Sequence, residues 1–271
     1  MITRLIPSIR GLGLVAALAA AATTKLSAQT FVGSDNFNSG SAAGWPYSFR
    51  LSGTNGTLNF TNSQLQFTTS GTGAGSGSGN YFLIWGGDLT TGAYQTPASY
   101  TTSWVANVTV ANTFATGTSE FASIGLELGN GTNYSAVMLQ NVAGVYLVRA
   151  EGTGTTFAST SATNFNTNVG LRLAWDAGTH VLNSYYSFDS GATYTLLKSF
   201  TPDSWSPVPS TGFEFEIFGN SSGANAITAG SMYADNFSVS AIPEPSTYAA
   251  LAGACALGLA IWKRKSKAPA L

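Results

Sequence analysis

Apolar and polar residues alternate with a period of two over much of the chain between residues 29 and 240. The clearest stretches are residues 104–110, 169–175 and 213–217. A period of two predicts β-strands with one buried face. Shorter apolar runs raise the expected number of strands to about a dozen. These further runs cover residues 47–51, 65–68, 81–85, 124–128, 136–140, 145–150, 182–188 and 232–239.

Turn-forming residues separate these runs. Asn55-Gly56 and Asn130-Gly131 accept the backbone conformations of hairpin turns, and so do Asp176-Ala177-Gly178 and Asp189-Ser190-Gly191. Many short strands joined by polar turns, with no amphipathic helix between them, predict an all-β domain. The expected architecture is a two-sheet antiparallel sandwich of the jelly-roll type. The Gly/Ser/Thr-rich tract 69–80 cannot pack a core and is expected to be a loop inside that domain.

The composition excludes several classes of function. Of the 271 residues only 8% are charged, against about 25% in an average protein. One cysteine excludes a disulfide framework or a cysteine-based zinc site, and one histidine excludes a centre that needs two imidazoles. Residues 29–242 contain 4 basic and 11 acidic residues, which gives this part a net charge of −7. Such an acidic surface argues against nucleic-acid binding.

The N-terminus has the pattern of a secretory signal peptide. Arg4 and Arg10 precede the apolar run 11–22, and small residues then lead to Leu26-Ser27-Ala28. A charged region, a short apolar region and a small-residue cleavage site in this order predict cleavage after Ala28. Residues 1–28 are therefore expected to be the signal peptide, and residues 29–240 the exported domain. The alternative is a buried N-terminal helix, but the apolar run has no amphipathic stripe.

The C-terminus combines an apolar segment with a basic tail. Residues 247–262 are almost wholly apolar, and residues 263–267 include four lysine or arginine side chains. A helix over the apolar segment would be about 24 Å long, slightly short for a hydrocarbon core of about 30 Å. We predict a single transmembrane helix at 247–262, with the basic tail in the cytoplasm and the preceding domain outside.

The tripeptide Pro243-Glu244-Pro245 comes shortly before this apolar segment. In residues 241–271 the tripeptide, the apolar segment and the basic cluster together resemble the PEP-CTERM sorting signal of Gram-negative bacteria. The resemblance implies that Pro243, Glu244 and Pro245 are recognised by an exosortase, a membrane-embedded cysteine transpeptidase that removes the tail. It also implies a cell-envelope protein, first anchored in the inner membrane and then at the cell surface or extracellular, in bacteria that make exopolysaccharide and biofilms. The alternative is an ordinary linker before a permanent anchor.

A second resemblance covers most of residues 29–240. Asp35-Asn36-Phe37 near the start and Asp235-Asn236-Phe237 near the end are identical tripeptides, and a hairpin is expected at 175–198. Together they resemble the concanavalin/laminin-G type of jelly roll, in which the first and last strands pair. Residues 187–194 also resemble an Asp-box, in which the aspartate, here Asp189, tightens a hairpin turn.

Glu214-Phe215-Glu216 is the main candidate for catalytic chemistry. Two residues along a strand span about 6.8 Å, a separation at which two carboxyl groups can flank a glycosidic bond. The stretch resembles the strand of jelly-roll β-glucanases, but Phe215 stands between the glutamates and a third carboxylate is missing. The simpler interpretation is two glutamates on the solvated face of a half-buried strand. His180 is expected to be a solvated turn residue, and we assign no catalytic residue.

The remaining candidates are binding residues. Asp35 and Asp235 would contribute to a structural Ca²⁺ site if the terminal strands pair, because Ca²⁺ prefers clustered oxygen ligands. No other metal and no cofactor is expected. Trp45, Trp85 and Trp205 lie near turns, where indole rings can stack on sugars and make glycan contacts. Burial in the core is the simpler interpretation of these three tryptophans.

These features predict an exported, non-enzymatic protein with a structural or adhesive role in the envelope or biofilm. Its expected partners are the exosortase and secretion machinery, the membrane before the tail is processed, and exopolysaccharide. A carbohydrate-binding module with a defined sugar site is the alternative. A polysaccharide-degrading enzyme is a third hypothesis.

Overall fold

A computed structural model of the chain describes residues 33–38, 47–50, 56–70, 79–85, 100–116, 120–129, 133–162, 168–202, 213–222, 226–242 and 252–259. Within these residues the protein contains fifteen β-strands and one helical stretch, at 252–259. Phe31–Ile242 forms one of two compact units of the chain. The strands are β1 (Gly33–Asp35), β2 (Tyr47–Arg50), β3 (Gly56–Thr61), β4 (Gln64–Thr69), β5 (Gly79–Trp85), β6 (Trp104–Asn112), β7 (Phe121–Gly129), β8 (Tyr134–Val142), β9 (Val145–Gly152), β10 (Ala158–Ser161), β11 (Val169–Asp176), β12 (Val181–Ser187), β13 (Thr195–Phe200), β14 (Glu214–Ser222) and β15 (Met232–Ala241).

The strands form two antiparallel sheets. The eight-stranded sheet has the order β13-β12-β11-β6-β15-β4-β3, and β1 also pairs with β15. The seven-stranded sheet has the order β10-β9-β8-β7-β14-β5-β2. Strands that are distant in sequence lie next to each other in both sheets, as in a sandwich with crossed connections. The predicted all-β, two-sheet antiparallel sandwich is confirmed.

The core lies on the apolar faces of the strands and contains large aromatic side chains. The ring of Trp104 stands edge-on to that of Phe215 at a centroid distance of 5.0 Å, and Trp175 stands edge-on to Phe213 at 5.2 Å. Edge-to-face pairs contribute about 0.5–1.5 kcal/mol beyond the burial of their surface. The indole nitrogen of Trp175 donates a hydrogen bond of 2.9 Å to the carbonyl of Tyr100, so its burial leaves no polar group unsatisfied. The alternation predicted for residues 104–110 is confirmed, and the apolar positions of 169–175 and 213–217 are buried as predicted.

The first described strand pairs with the last, as the jelly-roll resemblance implies. In this pairing Gly33 lies opposite Val239 and Asp35 opposite Phe237. Four strands, β1, β3, β10 and β13, have no counterpart among the predicted apolar runs. Strands β3, β10 and β13 lie at sheet edges, and β1 pairs with β15 beside the main strand order. An edge strand is covered on fewer sides, so it needs fewer apolar residues and gives a weaker pattern.

Three predicted segments, the transmembrane segment, the signal peptide and the loop 69–80, fall partly or wholly outside the described residues. The helical stretch 252–259 lies inside the predicted transmembrane segment 247–262, but across the described part of the chain no helix is long and apolar enough to cross a membrane. The predicted signal peptide 1–28 lies outside the described residues, so both segments stay predictions. The predicted loop 69–80 is shorter than expected at its ends, because Thr69 belongs to β4 and residues 79–80 begin β5; residues 71–78 lie outside the described part.

Candidate functional site

The face of the seven-stranded sheet that points away from the core carries a groove with a volume of about 570 Å³. Strands β7, β8, β9 and β14 supply its described lining. Because side chains alternate along a strand, the groove residues are those between the core residues of the same strands. The lining residues are Phe121, Ser123, Glu127, Tyr134, Met138, Gln140, Val142, Arg149, Glu151, Phe218 and Asn220.

The antiparallel register arranges the side chains of this face in rows across the strands. Successive rows are two residues apart along each strand, which is about 6.8 Å. The first, here called the acidic row, contains Glu216, Glu127, Ala136 and Glu151. The second, the apolar row, contains Phe218, Gly125 and Met138. The third, the polar row, contains Asn220, Ser123 and Gln140.

Glu214 joins the acidic row to form a cluster of four carboxyl groups with Glu127, Glu151 and Glu216. The side chain of Glu214 is buried, and that of Glu216 is partly buried. A Cβ on Gly129 would lie 3.7 Å from a carboxyl oxygen of Glu214 and 3.9 Å from a carboxyl oxygen of Glu216. The two carboxyl groups therefore converge above Gly129, at distances that are ordinary van der Waals contacts for a Cβ. The interpretation of these glutamates as solvated surface residues is wrong for Glu214, which is buried, and Glu216 is only partly exposed.

Burial and mutual repulsion change the protonation of this cluster. Burial raises the pKa of Glu127 well above its usual value of 4.5, and the charges of Glu216, Glu151 and Glu214 raise it further. Burial and the nearby charge of Glu214 raise the pKa of Glu216 to about 8. Carboxyl groups in a low-dielectric site keep their protons because ionisation there is costly. Glu216 is therefore mostly protonated at neutral pH.

Arg149 is the positive group of the groove among the described residues. Its guanidinium lies 2.7 Å from a carboxylate oxygen of Glu151 and 4.3 Å from the ring centre of Phe157. Burial raises the pKa of Tyr134, and the charges of Glu151 and Glu127 add to this effect. The described lining of the groove holds two carboxyl groups, those of Glu127 and Glu151, and one guanidinium.

An apolar patch lies beside the acidic row. Ala136, Met138 and Phe218 form a small buried cluster separate from the main core. In register, Gly125 stands between Met138 and Phe218. A Cβ on Gly125 would lie 2.5 Å from the carbonyl oxygen of Val137 and 2.7 Å from the Cβ of Met138, so this position requires glycine. The groove thus places apolar surface directly next to hydrogen-bonding groups.

Gln140 provides a buried hydrogen-bond acceptor in the polar row. Its residue surface is 7% exposed, and its Oε1 has no hydrogen-bond partner in the part of the chain that the structure describes. A buried polar atom without a partner costs about 1–3 kcal/mol. A donor on a bound molecule would remove that cost.

The two candidate calcium ligands are near each other but are engaged locally. Asp35 accepts a hydrogen bond of 2.7 Å from the backbone of Phe37, and Asp235 accepts one of 2.7 Å from that of Asn236. Burial raises the pKa of Asp235, and the charge of Asp35 contributes to this shift. Within the described ranges no group of three or more His, Cys, Asp or Glu residues is arranged to hold a metal ion. The calcium site stays a prediction.

His180 is placed differently from the sequence interpretation. Its ring stacks on that of Trp175 at a centroid distance of 5.8 Å and an angle of 17°, and it lies 4.9 Å from the ring of Tyr100. Its backbone is left-handed, with φ of 54°. This turn folds back over the aromatic core, so His180 is partly buried and packs instead of facing solvent.

The other predicted site residues are not described by their side chains. The structure describes Trp85 only through its backbone in β5. The residues that lie outside the described ranges are Ala28, Trp45, Trp205, Pro243, Glu244 and Pro245.

Most groove residues were not identified from the sequence. Glu127, Gln140 and Arg149 each interrupt a run that is otherwise apolar. A polar residue inside a strand that is buried on both faces could have identified these groove residues. The sequence pattern alone does not tell whether both faces of a strand are buried.

The C-terminus was compared with known protein families. Residues 241–265 match the model of the PEP-CTERM protein-sorting motif. The chain therefore carries a PEP-CTERM motif. This confirms the predicted sorting signal, and the motif implies an exported protein of the Gram-negative envelope that is processed by an exosortase. No curated protein matches the chain.

Solved structures resemble this chain in fold. The CBM2 module of the evolved Dit protein of Lactobacillus casei BL23 phage J-1 has a TM-score of 0.52, with 11% identity over 79% of this chain and 98% of that one. GH43B of the Bacteroides ovatus xyloglucan PUL has a TM-score of 0.50, with 11% identity over 78% of this chain and 39% of that one. Lectin I of Ulex europaeus, in complex with the methyl glycoside of α-L-fucose, has a TM-score of 0.49, with 11% identity over 79% of this chain and 98% of that one. At these identities the likeness to the first two structures extends to the jelly-roll sandwich fold and no further.

Proposed function

We propose that this protein is delivered outside the cell through its PEP-CTERM tail and there binds polysaccharide without cleaving it. The binding site is the groove of the seven-stranded sheet. Its role is structural or adhesive, in the envelope or in a biofilm matrix. The observation that carries the proposal is the groove itself, in which apolar surface and buried hydrogen-bonding groups lie side by side.

This combination of groups suits a sugar chain. A sugar ring has an apolar face and a polar rim, so a site for it needs flat apolar surface together with hydrogen-bond partners. Tyr134 and Phe218 supply rings, and Gln140 and the carboxyl groups supply partners. Phe121 and Glu127 lie six residues apart on one strand, or about 20 Å. The groove is therefore long enough for an oligosaccharide.

Polysaccharide cleavage is the second candidate, and one observation favours it. With its pKa raised to about 8, Glu216 holds a proton at neutral pH beside other carboxyl groups, as a general acid must. Two-carboxyl hydrolysis also needs an ionised partner, as base or nucleophile. The pKa of Glu127 is raised as well, so that residue does not supply the ionised partner. The carboxylate of Glu151 is held by the guanidinium of Arg149 at 2.7 Å, so binding without cleavage is the function proposed.

Affinity electrophoresis combined with an assay for reducing sugar distinguishes polysaccharide binding from polysaccharide cleavage. We expect the full chain to be retarded in gels that contain its polysaccharide and to release no reducing ends from it. Binding with steady release of reducing ends would show that the protein is a polysaccharide-cleaving enzyme and not a binding protein. Unretarded migration in every polysaccharide gel would contradict both.

A further inference from the structure

Among the described residues that line the groove, Gln140 and Arg149 each have a buried polar atom without a hydrogen-bond partner. We infer that these two residues together hold the hydroxyl groups of an uncharged sugar unit, with Gln140 as the acceptor and Arg149 as the donor. The inference rests on the proposed function and names the class of polysaccharide, an uncharged one, that the groove takes.

The two atoms are complementary in their chemistry. Gln140 Oε1 can only accept a hydrogen bond, and Arg149 Nε can only donate one. Both atoms are buried, and neither is satisfied by a group in the described ranges. A buried polar atom that stays unpaired is costly, so each of the two gains from a ligand group of the opposite kind.

The antiparallel register brings the two residues together. Arg149 on β9 lies opposite Met138 on β8, and Gln140 follows two residues further along β8. Gln140 and Arg149 are therefore diagonal neighbours on the groove face. Such neighbours are about 7–8 Å apart, which is within reach of long side chains. One unit of a bound chain can contact both.

The guanidinium of Arg149 is already held in place by two other contacts. Its Nη2 lies 2.7 Å from a carboxylate oxygen of Glu151, and its central carbon lies 4.3 Å from the ring centre of Phe157. These contacts orient the planar group and leave its buried Nε–H for a ligand. A donor that is oriented before binding loses little entropy when the ligand arrives.

The charges in the described lining of the groove balance. Arg149 and Glu151 form an ion pair, and burial raises the pKa of Glu127 well above 4.5, which disfavours its charge. A charged ligand would lose hydration in the groove, and the described lining offers it no unpaired opposite charge in return. An uncharged ligand avoids this cost.

Hydroxyl groups match the pair better than charged substituents do. A hydroxyl both donates and accepts, so sugar hydroxyls can satisfy Gln140 and Arg149 together. The ammonium group of an amino sugar only donates, and at this place it would lie beside the guanidinium. The carboxylate of a uronic acid only accepts, and it would lie beside Gln140 Oε1. Either charged group leaves one of the two buried atoms unsatisfied.

Apolar surface adjoins the pair, as a sugar ring requires. Met138, which lies opposite Arg149, packs with Ala136 and Phe218 in a small buried cluster. The strands under the groove, β7, β8, β9 and β14, are each paired on both sides, so they offer no free edge to a peptide backbone. These surroundings favour a sugar ring over an extended peptide.

Titration calorimetry with the full chain, at pH 6 and about 0.15 M salt, tests the inference. The uncharged probes are hexamers of β-1,4-linked glucose, mannose and N-acetylglucosamine. The charged probes are hexamers of glucosamine and of galacturonic acid. We expect one or more of the uncharged hexamers to bind at least tenfold more tightly than both charged ones. Affinity electrophoresis of the same proteins covers polymers that bind only as long chains.

Gln140→Leu and Arg149→Lys remove the two atoms separately. Leucine lacks the acceptor, and lysine keeps a positive charge for Glu151 but has a methylene group in place of the Nε–H donor. Each variant should bind the uncharged hexamer about tenfold more weakly. Gln140→Leu should also raise the melting temperature of the free protein by about 2 °C or more, because an apolar group replaces an unsatisfied buried acceptor.

Gln66→Leu and Arg172→Lys are the matched controls in the other sheet. Gln66 is 2% exposed, and its Oε1 accepts a hydrogen bond of 2.9 Å from the backbone of Gly230. The Nε of Arg172 donates a hydrogen bond of 2.7 Å to Asn107. Because both atoms are satisfied inside the protein, these variants should bind sugar like the wild type, and Gln66→Leu should lower the melting temperature.

Three results would overturn the inference and leave polysaccharide binding standing. The first is a charged hexamer that binds as tightly as every uncharged one. The second is wild-type binding of the uncharged hexamer by Gln140→Leu or Arg149→Lys, or an equal loss in the two controls. The third applies if the chain binds only long polymers, and it is retardation by charged polysaccharides alone or equal retardation of the wild type and these variants. The two groove variants are independent, so a loss of folding in one leaves the other as the test.

The remaining outcomes concern the ligand class and the proposed function. If an uncharged hexapeptide of glycine and serine binds as tightly as the best sugar hexamer and is weakened by the same variants, the ligand class is wrong. If no hexamer binds and no polysaccharide gel retards the chain, the inference and the proposed function are both wrong.

Discussion

Folding disfavours the ionised form of Glu216. Its pKa rises from 4.5 to about 8 because the sheet buries it beside Glu214, and the pKa of Glu127 shifts in the same direction. Below pH 4.5 the Glu216 carboxyl group is protonated in both the folded and the unfolded chain, so at these pH values it does not lower the stability of the fold. Between pH 4.5 and 8 only the unfolded chain releases the proton, so stability decreases as pH rises through this window.

The expected result is a lower melting temperature at pH 9 than at pH 5. Each pH unit of this window corresponds to about 1.4 kcal/mol for one group, so we expect a decrease of at least about 3 °C. Glu216→Gln keeps the shape of the side chain without its charge. The variant should melt near the wild type at pH 5 and above it at pH 9, as measured by circular dichroism.

Asp176→Asn, at the exposed end of β11 in the other sheet, is the control for this titration. Hydrogen bonds from Thr179 and Gly178 lower the pKa of Asp176, so its stabilising charge is lost only in acid and not between pH 5 and 9. A wild-type melting temperature that stays level over this range, or a Glu216→Gln variant that follows the wild type, would show that the carboxyl group is not buried as described.

At the scale of elements, the sequence predicted the central strands better than the edges. Strands β6 and β11 each alternate clearly, because one face packs in the core. Strand β10, with the sequence Ala-Ser-Thr-Ser, has no apolar pattern because it lies at an edge. The groove was harder to predict, since it depends on which strands become neighbours. Glu216 and Glu127 are 89 residues apart in the chain, and only the β14–β7 register brings them together.

For the whole molecule, the tail and the sandwich have separate tasks. Residues 241–265 match a sorting motif, and the sandwich carries the groove. We expect replacement of Pro243-Glu244-Pro245 by alanines to leave the sandwich folded and to block removal of the tail. Mass spectrometry of envelope material should then find Leu271 in the variant and not in the wild type. Unchanged processing and surface delivery of the variant would contradict the role of the tripeptide.

Polysaccharide binding in the groove can be examined with one pair of tyrosine variants. Tyr134 lies in the groove and is 37% exposed, whereas Tyr185 is a partly buried tyrosine on β12 of the other sheet. In affinity electrophoresis we expect Tyr134→Ala to bind the polysaccharide about tenfold more weakly, which corresponds to the loss of about 1.4 kcal/mol of ring contact. Tyr185→Ala should bind like the wild type. Wild-type binding by Tyr134→Ala, or an equal loss in both variants, would contradict binding in the groove.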